Sequence, residues 1–300
     1  MVVPPPHPIS KWLVTTDWLA ANLGAPGVVV LDGSFYLPPP YPPPLAGEGR
    51  EGARDAAAEY LAGHIPGAVR FDIDEIADHS TDLPHMLPSP ADFAIAAGKL
   101  GISDQDTIIA YDGHGIFSSP RVWFTFRLFG ADNVFILEGG LPKWKAEGRV
   151  LESGPVTRPI KTFAARKRAD VVASLARVQQ ALASHSAQIV DARSAERFRG
   201  EASEPRPGVR SGRMLGSYNV PSTSIVKNGL LLPRDQLRQA FVAGGIDLDK
   251  PIITSCGSGV SAAILWLALD AIGREPEALY DGSWSEWGAR SDLPIATGPG

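Results

Sequence analysis

With 300 residues, 44% of them apolar, the chain has room for about two domains with buried cores. A formal net charge of −5 and the lack of a basic block argue against nucleic acid or an anionic membrane as partner. One cysteine excludes an internal disulfide and fits a reducing compartment.

The start, Met1-Val2-Val3-Pro4-Pro5-Pro6-His7-Pro8, lacks the basic residues and apolar run of a secretory signal. The longest apolar helix-prone run, Ala262–Leu269, is far too short for a membrane span. The histidines at 7, 64, 79, 85, 114 and 185 show no metal-ligand spacing. The expectation is a soluble, cytoplasmic protein without metal or other cofactor.

Thr16–Gly24 reads as a capped helix stopped by glycine, and Val28–Asp32 as a buried strand. The proline-rich stretch 38–44 is stiff and polyproline II-like, a surface excursion between strand and helix. Arg54–Ala62 is helical. Gly63-His64-Ile65-Pro66-Gly67-Ala68 turns into the strand Val69–Asp72. Ser89 caps a helix to Leu100, and Thr107–Asp112 is the next strand. Pro120 opens a helix through Phe129, because proline is tolerated in the first turn. Asn133–Leu137 is a strand, and Gly139–Trp144 leads into a closing helix. Residues 156–170, rich in Pro, Lys and Arg and without periodicity, read as a linker between domains at 1–155 and 171–300.

The same order then returns. Val171–Ala183 reads as helix, Gln188–Arg193 as strand, Pro233–Ala243 as helix and Ile252–Ser255 as strand. Ile108-Ile109-Ala110-Tyr111-Asp112-Gly113-His114-Gly115 lies over Ile252-Ile253-Thr254-Ser255-Cys256-Gly257-Ser258-Gly259. Glu138-Gly139 to Trp144 lies over Asp281-Gly282 to Trp287 at nearly the same offset. Two copies of one α/β unit follow, each a mostly parallel sheet with helices on both faces. Asp112 stands in the first copy where Cys256 stands in the second. With a carboxylate in the cysteine's place, the first copy is expected to be catalytically silent.

Cys256 sits where an apolar strand ends and Gly257-Ser258-Gly259 turns into an apolar helix. Glycines at 257 and 259 allow successive N–H groups to point inward, making a small anion cradle at a helix start. A thiolate is favoured in such a place, and the thiolate is the nucleophile. A lone cysteine is otherwise usually a small buried hydrophobe. A cysteine phosphatase would need an arginine six positions later to fork onto phosphate; that position is Ala262.

The loop instead resembles that of the rhodanese-like sulfurtransferases. His64-Ile65-Pro66-Gly67-Ala68, Phe71-Asp72-Ile73-Asp74, Pro120-Arg121-Val122-Trp123 and Asp281-Gly282-Ser283-Trp284 resemble the family as well. The resemblance implies two tandem rhodanese-like domains, the first non-catalytic and the second catalytic. It implies a Cys256 persulfide loaded by a small-molecule sulfur donor. The outer sulfur would pass to a thiol acceptor (thioredoxin or a small thiol) or to cyanide. Cys256-Gly257-Ser258-Gly259-Val260 is similar to the loop of members that take 3-mercaptopyruvate, with Ser261 where Thr is typical. Members that take thiosulfate carry basic residues after the cysteine, and this loop has none.

For the donor's anionic end the resemblance points to Arg197 and Arg206, whose planar forks suit a carboxylate. Gly257, Gly259, Val260 and Ser261 would supply loop contacts, and Ser261 a helix-capping hydroxyl. Ser258 and His64 would relay a proton, with Asp55 or Glu59 as the acid behind. Alternative readings are thiosulfate as the main donor, and a persulfide-binding or redox-sensing module with little turnover. Gly212-Arg213-Met214-Leu215-Gly216 departs from the family's repeated Gly-His-Ile-Pro-Gly.

Overall fold

The computed structural model describes residues 2–37 and 54–299. The proline run at 38–44 falls outside them. The first half carries strands β1 (Leu13–Val14), β2 (Val28–Asp32), β3 (Val69–Arg70), β4 (Thr107–Tyr111) and β5 (Val134–Leu137). Its helices are α1 (Thr16–Asn22), α2 (Ala56–Ala62), α3 (Pro90–Lys99), α4 (Ser119–Leu128) and α5 (Gly140–Ala146). The second half carries β6 (Val172–Ala173), β7 (Gln188–Asp191), β8 (Arg213–Met214), β9 (Tyr218–Asn219), β10 (Val226–Lys227), β11 (Leu230–Leu231), β12 (Ile252–Ser255), β13 (Ala278–Tyr280) and β14 (Ile295–Ala296). Its α-helices are α6 (Leu175–Ser184), α7 (Ala195–Arg199), α8 (Arg234–Ala243), α9 (Ala262–Ala271) and α10 (Ser283–Ala289).

The repeat seen in the sequence is a repeat in space. One sheet runs β1-β5-β4-β2-β3 and the other β6-β13-β12-β7-β9, each with parallel pairs throughout. Strand for strand the two orders match. The registers match too: Asp32 lies beside Tyr111 as Asp191 lies beside Ser255. Even the segment after each closing helix repeats, since Glu152 bridges His64 in the first half and Ala296 pairs with Arg213 in the second.

Alternation along the strands explains the packing. Val29, Leu31, Ile108, Ala110 and Ile136 point into one core, together with Val190, Ile252 and Leu279 of the other sheet. Val28, Val30, Ile109, Tyr111 and Leu137 point into a separate outer core, and Ile189, Ile253 and Tyr280 into a third. Each sheet is therefore covered on both faces, which is why its strands read as unbroken apolar runs. The shared core lies between the halves and is built on α4 and α9. Every residue of α9 but Asp270 is buried, as befits a helix that is apolar all round. Leu265, Leu267 and Leu269 are each fully buried and contribute roughly 1.5–3 kcal/mol apiece. Phe124 on α4 packs edge-on against Trp266 on α9, with ring centroids 5.0 Å apart.

Polar bonds cross the same junction. Trp12 Nε1 donates to Asp270 Oδ1 at 2.8 Å, and Arg121 Nη1 lies 2.7 Å from Asp281 Oδ1. Gly115, at φ +104°, approaches Gly229 so closely that a Cβ would lie 2.5 Å from its Cα.

Three local expectations change. Residues 171–183 are not one helix: β6 forms first, and Ser174 then caps α6. Residues 195–199, to which the sequence pattern assigned no regular element, are helical, capped by Ser194 and stopped by Gly200 at φ +76°. Ser261 has φ −73° and ψ −13°, already helical, so its hydroxyl makes no cap bond. The stretch 156–170 has no regular element and runs over the first half, with Lys161 N donating to Gly98 O and Arg166 N to Phe129 O.

Candidate active site

Cys256 follows β12 at the carboxyl end of the second sheet, where open parallel sheets bind ligands. It is 2% exposed. It forms part of the floor of a cleft lined also by Ala192, Arg193, Arg197, Arg206, Ser222, Gly257, Ser258, Val260 and Ser261. Phe35, Leu37 and Phe117 of the first half close the other wall. The cleft thus lies between the two halves.

The loop is tied from behind and open in front. Cys256 N donates to Ser283 Oγ at 3.1 Å, and Trp284 N and Ser285 N donate to the carbonyls of Cys256 and Gly257. Ser283 holds φ +49° to do this. Among the described residues, no acceptor meets the N–H groups of Gly257, Ser258, Gly259, Val260 or Ser261. These donors can serve a negative sulfur or a substrate anion.

Only one of the two loop glycines has a positive φ, Gly259 at +78°. Gly257 instead lies close to an arginine: a Cβ there would be 3.1 Å from Arg197 Nη2, a tight contact to which the guanidinium would have to yield. Arg121 reaches across from α4, with Nη1 donating to Gly259 O at 3.2 Å and Nη2 to His85 O at 2.6 Å. It is 2% exposed and acts as a structural clamp on the loop.

Arg197 and Arg206 both come to the cleft. The carboxylate beside Arg197 is Glu204, buried with it, not a solvated partner. Arg206 Nη2 lies 2.8 Å from His85 Nε2. Burial pulls the Arg206 guanidinium below its ordinary range, Cys256 as thiolate opposes this, and Arg197 adds to it. Both cations therefore feel the same place.

His64 does not come to the cleft. Its ring is fully buried and stacks on Tyr60 at 4.2 Å, and Nδ1 meets Tyr60 O at 2.8 Å. The turn that carries it packs Ile65 and Ala68 into the outer core, away from Cys256. The acids expected behind it are engaged elsewhere: Asp55 caps α2, and Glu59 holds Arg54 and accepts from Tyr36.

A histidine that sequence reasoning missed, His85, stands behind the cleft wall, bonded to Arg206 and packed edge-on against Phe35. It is buried, at φ +60°, with Nδ1 2.6 Å from Asp74 Oδ1. A guanidinium has only donors, so Nε2 accepts from Arg206 and Nδ1 carries the proton toward Asp74. That hydrogen bond, opposed by burial, holds the Asp74 carboxyl below its usual range. The available signal was a stretch, residues 71–89, with no regular element between β3 and α3; long structureless loops in compact domains tend to be functional.

Comparison with known proteins agrees with this architecture. The rhodanese-like domain family model matches residues 53–147 and 174–290. The chain belongs to the rhodanese-like family. The 3-mercaptopyruvate sulfurtransferase of Escherichia coli K12 is 45% identical to this rhodanese-like protein, over 95% of this chain and 98% of its own. The human 3-mercaptopyruvate sulfurtransferase is 36% identical over 97% of each. The crystal structure of SseA from Escherichia coli, described with the rhodanese fold and mechanism of these enzymes, superposes with a TM-score of 0.81 at 42% identity. It covers 92% of this chain and 99% of that one. Among the described residues, no helix is long and apolar enough to cross a membrane.

Proposed function

We propose that this rhodanese-like protein is a 3-mercaptopyruvate sulfurtransferase with Cys256 as its sulfur carrier. One observation carries the reading: a single cleft gathers Cys256, Arg197 and Arg206 around a loop that contributes amides but no basic side chain. Two planar forks suit the carboxylate of a keto acid. The neutral loop disfavours thiosulfate, a dianion, as the main donor.

In the first half-reaction the Cys256 thiolate attacks the donor's sulfur. The new S–S bond forms as the C–S bond breaks, and the electron pair moves onto carbon as the enolate of pyruvate. One proton delivered to that carbon completes pyruvate. Ser258 in the loop is the group we assign to that proton. Amides of Gly257, Gly259, Val260 and Ser261 stabilise charge on the sulfur pair. In the second half-reaction an acceptor thiolate or cyanide takes the outer sulfur and restores the Cys256 thiolate. A protein that works through one free thiol needs reducing surroundings, which supports a cytoplasmic setting. Residues 156–170 we take as the linker between a silent domain at 1–155 and the catalytic one at 171–300.

Incubation with 3-mercaptopyruvate should release pyruvate and add the mass of one sulfur to the peptide bearing Cys256. Normal pyruvate release by Cys256→Ser would refute the proposal. A larger kcat/KM for thiosulfate would move the assignment to that donor.

A further inference from the structure

The donor-side arginines are held very differently. Arg206 meets a histidine. Arg197 is forked onto a buried carboxylate: its Nε donates to Glu204 Oε1 at 3.2 Å, and its Nη2 donates to Glu204 Oε2. The Glu204 side chain is 3% exposed. The same Oε1 accepts from Arg193 Nη1 at 2.7 Å. Arg193, with 1% of its side chain exposed, is fixed from three other directions. Its Nε donates to Asp191 Oδ2 at 2.9 Å, its Nη2 to Gly212 O at 2.8 Å, and its guanidinium lies 4.4 Å over the Trp284 ring. The sulfur chemistry itself uses neither Glu204 nor Arg193.

A buried carboxylate is costly unless well paired, so its place beside the cleft calls for a reason. A free arginine must lose rotamer freedom to grip an anion. One already forked onto a fixed carboxylate has lost it before the donor arrives. We propose that Glu204 is a positioning residue that presets Arg197 for the donor's carboxylate, with Arg193 as the fixed post to which Glu204 is tied. The chain of support runs from the end of β7, through Asp191 and Arg193, to Glu204 and Arg197, and ends against Gly257 in the cysteine loop. It rests on the reading of Arg197 as a carboxylate holder.

The test is steady-state kinetics with 3-mercaptopyruvate and a fixed acceptor. Glu204→Gln keeps the shape and removes the charge; KM should rise about tenfold, the worth of one charge-assisted bond. Its kcat should stay within about twofold, because a merely unfolded fraction lowers kcat and leaves KM alone. In an Arg197→Lys background, Glu204→Gln should add less than about twofold, since the two act as one unit. An unchanged KM, a fall confined to kcat, or full multiplication of the two effects would overturn the proposal. Should Glu204→Gln not fold, Arg193→Lys serves instead: a KM rise of about threefold supports the tie and an unchanged KM sinks it. If Arg197→Lys alone leaves KM unchanged, the reading of Arg197 fails, and with a different signature.

Discussion

The loops that follow β4 and β12 sit at the same place in two copies of one unit, yet their amides face different things. In the first copy Asp112 fills its own cradle. Its Oδ1 accepts from His114 N, and its Oδ2 from the N–H groups of Phe117, Ser118 and Ser119 and from Ser119 Oγ, at 2.7–3.0 Å. Tyr36 then covers the turn so tightly that a Cβ on Gly113 would lie 2.1 Å from its hydroxyl. In the second copy a thiol replaces the carboxylate, the amides have no partner among the described residues, and arginines stand opposite. One backbone design thus serves as a self-satisfied staple in one half and, in the other, leaves the loop amides without an acceptor among the described residues. Carboxylate against thiol is the simplest chemical difference between them.

The sharpest way to break the contrast is to erase it. Cys256→Asp should abolish pyruvate release, by more than about a thousandfold, because the nucleophile is gone. Its carboxylate should occupy the amides, so thermal unfolding should stay cooperative and close to that of the parent. Unfolding at a much lower temperature would show that the second cradle is not equivalent to the first.

Next in size is the reverse change. Asp112→Ala strips five donors of their acceptor and should cost about 2–4 kcal/mol in stability, read by denaturant unfolding. Turnover per folded molecule should stay near that of the parent. A variant as stable as the parent would mean that the staple carries no weight.

The smallest effect concerns the corresponding acids after each fifth main strand. Asp281 bonds across the junction, to Arg121 and to Leu87 N, whereas Glu138 holds His7 and Lys143 within its own half. The hydrogen bond from His7, then Lys143, and against burial, takes the Glu138 carboxyl from the ordinary 4.5 down to about 2. A depressed carboxylate stabilises the fold above its unfolded pKa, and that contribution is lost as pH falls through its folded one. Glu138→Gln should lower Tm by about 2–4 °C at pH 7. The gap should close between pH 4.5 and 2. A gap that stays constant over that window would exclude the linkage.

The central strands and both buried helices were legible in the sequence because burial on two faces leaves no polar alternation to misread. Ile252–Ser255 and Ala262–Leu269 are the plain cases. The two-residue strand β6 was hidden by the helical pattern that follows it, since propensity summed over a window cannot resolve so short a piece. Arg197 and Arg206 were legible through the motif around them. Their carboxylate partner was less so, because Glu196, Glu201 and Glu204 look alike until burial separates them. His64 and His85 show the limit most clearly. The motif histidine is stacked on Tyr60, while His85 reaches the cleft residue Arg206 from a stretch with no periodic signal. Only the crossing of two halves brings it there.

The shared core also has a consequence for synthesis. The face of α4 that carries Phe124 is covered by Trp266 of α9, whose residues leave the ribosome more than a hundred positions later. At ordinary elongation rates the front half waits roughly ten seconds with that apolar surface open. Its need for a chaperone should be greatest in that interval and should end when residues near 270 emerge.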